Sequence, residues 1–193
     1  MDQKEIKQAL IKSAIHTISN VGIDNATTKQ LATNAGVNEV YIYRIFGGKD
    51  ALFKAAFNYV DIEFSNAILK ILPLTYTYEK NIDPEKHFNK TFKLIWQHTL
   101  KDKKQCAFFI RYYYSRCYTA DMSEERKKIY APIIKLFSIG FLPNTDTWWL
   151  FNHILDVIFS SAVKVLRSEI PDNQETEDRI FNLLFFALKP YLK

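Results

Sequence analysis

Thr27 to Phe53 reads TTKQLATNAGVNEVYIYRIFGGKDALF, and two short helical patterns meet inside it at Ala35-Gly36-Val37. Thr27 and Thr28 offer hydroxyls where the orphan N–H groups of a helix start need acceptors. On the helix that follows, Leu31 faces inward and Lys29 outward. Small Ala32 and Ala35 let a second helix approach closely, Gly36 supplies the left-handed backbone that ends the first helix at little steric cost, and Val37 plugs the corner. Asn38 then caps the second helix. With Ile42 at the centre of the buried face, a rotation of about 100° per residue puts Ile45 and Phe46 beside it and turns Val40, Tyr41, Tyr43 and Arg44 to the opposite side. Gly47 and Gly48 stop this helix. Lys49-Asp50 opens the next with a cation in the first turn, where the helix dipole favours acids, and a phosphate ligand accounts for it. The pattern is a helix-turn-helix with a polar, aromatic and basic outer face, which makes double-stranded DNA the first partner to test.

From Ile6 to Phe53 the chain resembles the DNA-binding domain of the TetR family of bacterial transcriptional regulators. The shared features are the threonine pair before Leu31-Ala32, the Ala35-Gly36-Val37 turn, Tyr43, Phe46, and Lys49-Asp50 ahead of an apolar helix. Departures fall early in the second helix, where Val40 and Tyr41 replace the usual small residue and Thr or Ser, and at Gly48, which replaces a Ser or Asn cap. They bear on the operator sequence rather than on how the domain docks. The resemblance implies an N-terminal DNA-binding domain over residues 1–48 and a helical regulatory and dimerisation domain over residues 49–193. It also implies a homodimer formed by the last two helices and an effector cavity among the central ones.

Composition sets wider bounds. The 193 residues are 48% hydrophobic, ample for a core, and carry a net charge of +5. Charge alone decides little, since the first 60 residues hold seven bases and five acids. The apolar run from Trp148 to Val165 is interrupted by Asn152, His153, Asp156 and Lys164, so no membrane span or signal segment is expected and the protein is placed in the cytoplasm. Cys106 and Cys117 lie about three turns apart on one expected helix, beyond disulfide reach.

Helical periodicity runs nearly throughout, and the fold class is all-α with about nine helices. Ile6, Leu10, Ala14, Ile15 and Ile18 mark a first helix over 4–20. A long helix from Lys49 carries Leu52, Ala56, Tyr59, Val60, Phe64, Ile68 and Leu72 and is expected to end at Pro73, with a loop from Leu74 to Ile82. Asp83-Pro84-Glu85 is a helix start with Asp as cap and Pro at the first position. Further helices are expected over 103–118, 123–139 with Pro132 inside, 144–167 and 172–188, the last opened by Asp172 and Glu175. The final two are apolar enough to bury more than one face: Trp149, Ile154, Val157, Ile158, Ser161 and Val165 on one, Ile180, Leu183, Leu184, Ala187 and Leu188 on the other.

The residues sort by role. Thr28, Tyr43 and Lys49 suit phosphate contacts; Lys29, Tyr41 and Arg44 suit base edges, with Arg44 able to pair bidentately with guanine. Val40 and the Tyr41 ring suit a thymine methyl, and Glu39 suits a cytosine amine. Glu39 and Arg44 also fit an ordinary solvated face, and Tyr43 simple packing. Among the central aromatics, which include Tyr76 and Tyr78, Trp96, Phe109, Tyr113 and Phe137 are candidate walls of an effector cavity, with His98 and Arg111 as polar handles. Packing into the core is the competing role for the aromatics, and a surface position for His98. The four histidines lack metal spacing, no nucleophile or phosphate-loop motif occurs, and neither enzyme activity nor a metal or cofactor is expected. Two functions of different class fit: a homodimeric repressor of a palindromic operator released by a small apolar or aromatic effector, and a helical protein-interaction module with nonspecific DNA association. In the first, two-fold symmetry sets two recognition helices roughly 34–36 Å apart, in successive major grooves.

Overall fold

The computed structural model describes residues 1–75 and 83–193. These form nine α-helices and two short 3-10 turns, and among them the one β-type contact is an isolated antiparallel bridge between Phe141 and Leu192. The fold is all-α, with an N-terminal helix-turn-helix followed by a helical body.

The first three helices are built by local rules. Helix α1 (Gln3–Val21) opens on a reciprocal cap, the Glu5 N–H donating to Asp2 Oδ1 and the Asp2 N–H to Glu5 Oε2, each at 2.8 Å. Helix α2 (Thr28–Ala35) repeats the device with Thr27 and Gln30. It ends at Gly36, whose backbone is left-handed at φ 68°, and the Val37 N–H returns to the Ala32 carbonyl at 3.0 Å. Helix α3 (Val40–Phe46) begins where the Val40 N–H meets Asn38 Oδ1 at 2.9 Å and stops at Gly47, φ 83°. Two cross-links fix α1 on α2: Ser13 Oγ donates to the Leu31 carbonyl at 2.7 Å, and Asn34 Nδ2 to Thr17 Oγ1 at 3.1 Å. Leu10, Ile18, Leu31 and Ile42 have no exposed surface and form the core of this head.

The long helix α4 spans Lys49–Thr75 and carries Pro73 inside its final turn. The helix therefore runs two residues past the expected stop at Pro73; a proline near a C-terminus removes one hydrogen bond, and the turn tolerates the loss. The rest of the expected loop, including Tyr76 and Tyr78, lies outside the described residues. Then follow α5 (Pro84–Lys101), α6 (Lys103–Tyr113), α7 (Ala120–Phe137), α8 (Thr147–Leu166) and α9 (Gln174–Leu188). The caps Asp83 and Asp146 accept from Glu85 and Trp149 N–H groups. Helix α9 is capped by Asn173, which accepts from the Thr176 N–H at 3.0 Å, and not by Asp172, whose carboxylate lies 3.5 Å from Lys103 Nζ. Helix α6 ends before Cys117, so the two free cysteines do not share a helix.

Packing groups the chain into two compact units, one of residues 1–62 and 104–123, the other of residues 63–103 and 124–193. The division expected at residue 48 rests on the motif and is not the boundary of this grouping. In the first unit the Phe57 ring lies 5.0 Å from Phe109 and 4.8 Å from Tyr112, joining the start of α4 to α6. In the second, Phe64 meets Phe159 edge-on at 4.8 Å, and Phe88 and Phe92 of α5 face Phe181 and Phe185 of α9. Buried Arg126 spreads its guanidinium 5.3 Å from the Tyr130 ring and donates to Asn152 Oδ1 at 2.9 Å. Among the described residues α8 is the one helix long and apolar enough to cross a bilayer, yet its stripe from Leu150 to Val165 is buried against its own unit.

Truncating Ile42 to Ala leaves a hole in the smallest core of the molecule and is expected to lower stability by about 2–5 kcal/mol. Truncating exposed Val40 to Ala is expected to change it by less than about 0.5 kcal/mol. Denaturant midpoints followed by circular dichroism check the pair.

Candidate functional site

Burial of Ile42 sets the outward face of α3. Val40 and Tyr43 are 62% and 57% exposed, Arg44 is exposed and Tyr41 half-buried, so the side opposite Ile42 displays the residue types that the sequence placed there. Ile45 and Phe46 flank Ile42 and are half-buried. Lys29 is exposed on α2. Glu39, also exposed, precedes α3 and accepts a hydrogen bond from half-buried Thr28 at 3.3 Å, which links the starts of the two helices.

Lys49 is held rather than free. Its Nζ donates to the Ala26 carbonyl at 3.2 Å and lies 5.7 Å from the Phe53 ring centre. One proton of the ammonium thus braces the turn before α2, and two remain for an anion at the α4 N-terminus. Eight residues proposed for DNA contact, Thr28, Lys29, Glu39, Val40, Tyr41, Tyr43, Arg44 and Lys49, accordingly cluster in the helix-turn-helix and the first turn of α4. The same unit has a polar cleft of about 490 Å³ lined in part by Lys49, Asp50, Lys54, Tyr112, Arg116 and Asp121. Its charges are matched within it, Lys54 to Asp121 at 3.5 Å and Arg116 to Asp24 at 3.8 Å. At its base, burial pushes the Tyr112 phenol well above the usual tyrosine range; its hydroxyl donates to the Cys117 carbonyl at 3.2 Å.

The second unit has an apolar cavity of about 350 Å³, open on one side to solvent and within the range of small-molecule sites. Ile68 and Leu72 of α4, Phe88, Phe92 and Ile95 of α5, Ile133 and Phe137 of α7, Phe151, Ile154, Leu155 and Ile158 of α8, and Phe141 and Leu192 supply most of its wall. Of the six residues expected to line an effector cavity, Phe137 does so, its ring 4.5 Å from Phe141. Trp96 is buried in the same unit behind the wall, stacked on Phe92 at 6.3 Å. His98 is half-buried 6.2 Å from the Phe64 ring. Phe109, Arg111 and Tyr113 fall in the first unit, where Phe109 packs on Phe57, Tyr113 stacks on Phe109 at 5.6 Å, and the Arg111 guanidinium lies against Gly22. The missed wall residues carried one signal: positions 84, 87, 88, 91, 92 and 95 form a single helical face. Which side of the molecule that face meets was not written in it. Among the described residues no group of three or more His, Cys, Asp or Glu is placed to hold a metal ion.

Apolar side chains stand exposed on α8 and α9. Trp149, Leu183 and Phe186 are 60–62% exposed, and Trp149 lies parallel to His153 at 6.0 Å between ring centres. Ile154, Ile158, Val165, Ile180, Leu184 and Leu188 instead pack inside the chain.

Residues 10–56 match the model of bacterial regulatory proteins of the tetR family. Over 62 residues the chain is 37% identical to the HTH-type transcriptional regulator BetI 2 of Chromohalobacter salexigens, covering 32% of this chain and 30% of that protein. BetI 1 of the same organism is 33% identical over 64 residues, 33% of this chain and 32% of that one. The chain thus matches about a third of the length of these relatives. In structure it is similar over 95% of both chains to a TetR family transcription regulator from Marinobacter aquaeolei VT8, with 14% identity and a TM-score of 0.75. A TetR-like transcriptional regulator from Rhodococcus sp. RHA1 matches with 16% identity over 95% of this chain and 96% of that one, with a TM-score of 0.67. At these identities the structural likeness concerns the fold.

Burial first, then the nearby charge of Lys101, hold the His98 imidazole below its ordinary value of 6.5; Glu63 opposes and Lys70 adds to the shift. The folded chain therefore binds this proton more weakly than the unfolded chain. The stability linked to it is complete above about pH 6.5 and is lost as pH falls toward the lower folded value. In denaturation midpoints between about pH 7.5 and 5, His98→Gln is expected to flatten part of the decline seen in the parent chain.

Proposed function

We propose, from the match of residues 10–56 to the model of bacterial regulatory proteins of the tetR family, that the chain is a member of that family and a cytoplasmic, homodimeric repressor of a palindromic DNA operator, released by a small apolar or aromatic effector. The observation that carries the proposal is the exposed face of α3, where Val40, Tyr41, Tyr43 and Arg44 oppose buried Ile42 in a helix-turn-helix. Such a face enters a major groove. Thr28, Tyr43 and Lys49 hold the phosphates, and Lys29, Tyr41, Arg44, Val40 and Glu39 meet base edges. When Thr28 turns its hydroxyl to a phosphate it releases Glu39, which is then available to a cytosine amine.

Dimerisation uses the apolar surface left on α8 and α9, with Trp149, Leu183 and Phe186 at its centre. One head reads a short half-site, and a two-fold pair reads two. The effector occupies the 350 Å³ cavity. Because Ile68 and Leu72 of α4 belong to its wall and Lys49 begins the same helix, a ligand that moves α4 changes how the recognition helices are presented. A regulator of this kind needs no catalytic group.

Selection of random duplexes on the purified protein is expected to enrich a palindrome; purely salt-driven affinity without enrichment instead supports a protein-interaction module with nonspecific DNA association. Arg44→Ala should relax specificity at one base pair per half-site, by about 1–3 kcal/mol of discrimination, while Lys49→Ala weakens all sequences alike and lessens the salt slope. Leu183→Glu is expected to yield monomers in sedimentation and to weaken binding to the palindrome far more than to a half-site.

A further inference from the structure

The cavity of the second unit has a polar end and an apolar end. The ring pairs Phe92 with Phe181 and Phe88 with Phe185 show that α5 and α9 run antiparallel, so the first turn of α5 lies level with the end of α9. There the chain leaves α9 through a 3-10 turn and pairs with the segment after α7: Leu142 N–H donates to the Tyr191 carbonyl at 2.8 Å, Lys193 N–H to the Gly140 carbonyl at 3.0 Å, and Phe141 bridges Leu192. Leu192 and exposed Lys193 of this strap and His87 in the first turn of α5 belong to the cavity wall. Ile95 lies two turns beyond His87 on α5, and Ile158 two turns beyond Phe151, which meets Phe137 and through it Phe141, so the wall away from the strap is apolar.

Charge is as one-sided as polarity. Among the described wall residues no acidic side chain occurs, whereas a lysine and a histidine do. Lys193 Nζ spends one proton on the Ile139 carbonyl at 2.7 Å, which orients the ammonium and leaves two donors. A carboxylate accepts hydrogen bonds and offers none, so it suits these donors. The apolar end excludes charge and accepts methylenes. A volume near the low end of the roughly 300–1,000 Å³ typical of ligand sites favours a chain of medium length.

We propose that the cavity takes an aliphatic monocarboxylate of medium chain length, its carboxylate between His87 and Lys193 and its methyl end against Ile95 and Ile158. This rests on the proposal that the cavity holds the effector, and deepens it. Decanoate, decanol and decyltrimethylammonium, titrated into the full chain below their aggregation concentrations, test it through tryptophan fluorescence, because Trp96 stacks on the wall residue Phe92. Decanoate is expected to bind about tenfold more tightly than decanol, and the ammonium more weakly than both. His87→Gln and Lys193→Gln should each bring decanoate toward decanol while leaving decanol affinity unchanged, which also shows that the variants are folded. Ile95→Trp should abolish both. Equal affinity for decanoate and decanol, indifference to both polar substitutions, tighter binding of decanoyl-coenzyme A than of decanoate, or no binding at all would overturn it. Operator release separates the two proposals: release by decanol alone sinks the carboxylate and keeps the effector, whereas tight decanoate binding without release keeps the carboxylate and sinks the effector.

Discussion

Helix α3 has seven residues, too few to persist alone, because helix nucleation costs more than so short a run of hydrogen bonds returns. It exists because Ile42 is buried without exposed surface and because Gly36 turns the chain through a left-handed conformation that brings α3 to its neighbours. Once Ile42 is fixed, the direction of every other side chain on α3 follows from the helical period. The exposure of Val40, Tyr43 and Arg44 is a consequence of that single burial, and so is whatever they recognise. The bonds from Ser13 to Leu31 and from Asn34 to Thr17 transmit the constraint to α1. The recognition surface is therefore as rigid as the small core beneath it.

The two compact units use their aromatic residues differently. In the first, Phe57, Phe109, Tyr112 and Tyr113 stack face to face over short distances, which fills space and leaves the open cleft polar and internally charge-matched. In the second, rings on α5 and α9 meet at 5.9–6.1 Å with tilted planes, and the α5 rings together with aliphatic side chains from α4, α7 and α8 line the cavity. The helix-turn-helix thus presents a polar outer face, and the second unit an apolar cavity.

Helices α8 and α9 each bury one stripe inside the chain and retain apolar residues outside it. Ile154, Ile158, Ile180 and Leu184 satisfy the internal core, and Trp149, Leu183 and Phe186 exceed what that core needs. Large exposed side chains of this kind on adjacent elements mark a surface built for association. In the proposed dimer one such patch covers its own copy.

By itself the sequence determined the all-α class, the helix-turn-helix and its outward face, because these rest on hydrogen bonds and side-chain periods that reach no further than about four residues along the chain. Thr27, Gly36, Asn38, Gly47 and Asp83 act where the sequence put them, and small slips at Pro73 and Asp172 reflect neighbours competing for one helix end. The partition of the aromatics was decided by tertiary structure alone. Phe109 and Phe137 are equally good wall residues as sequence, yet one stacks on Phe57 and the other faces the cavity, because apolar attraction has no direction and only the packing of distant helices selects its partners. The strap at Leu192, which closes the cavity from some fifty residues beyond Phe141, belongs to the same class: its pairing is long-range, and no local pattern announces it.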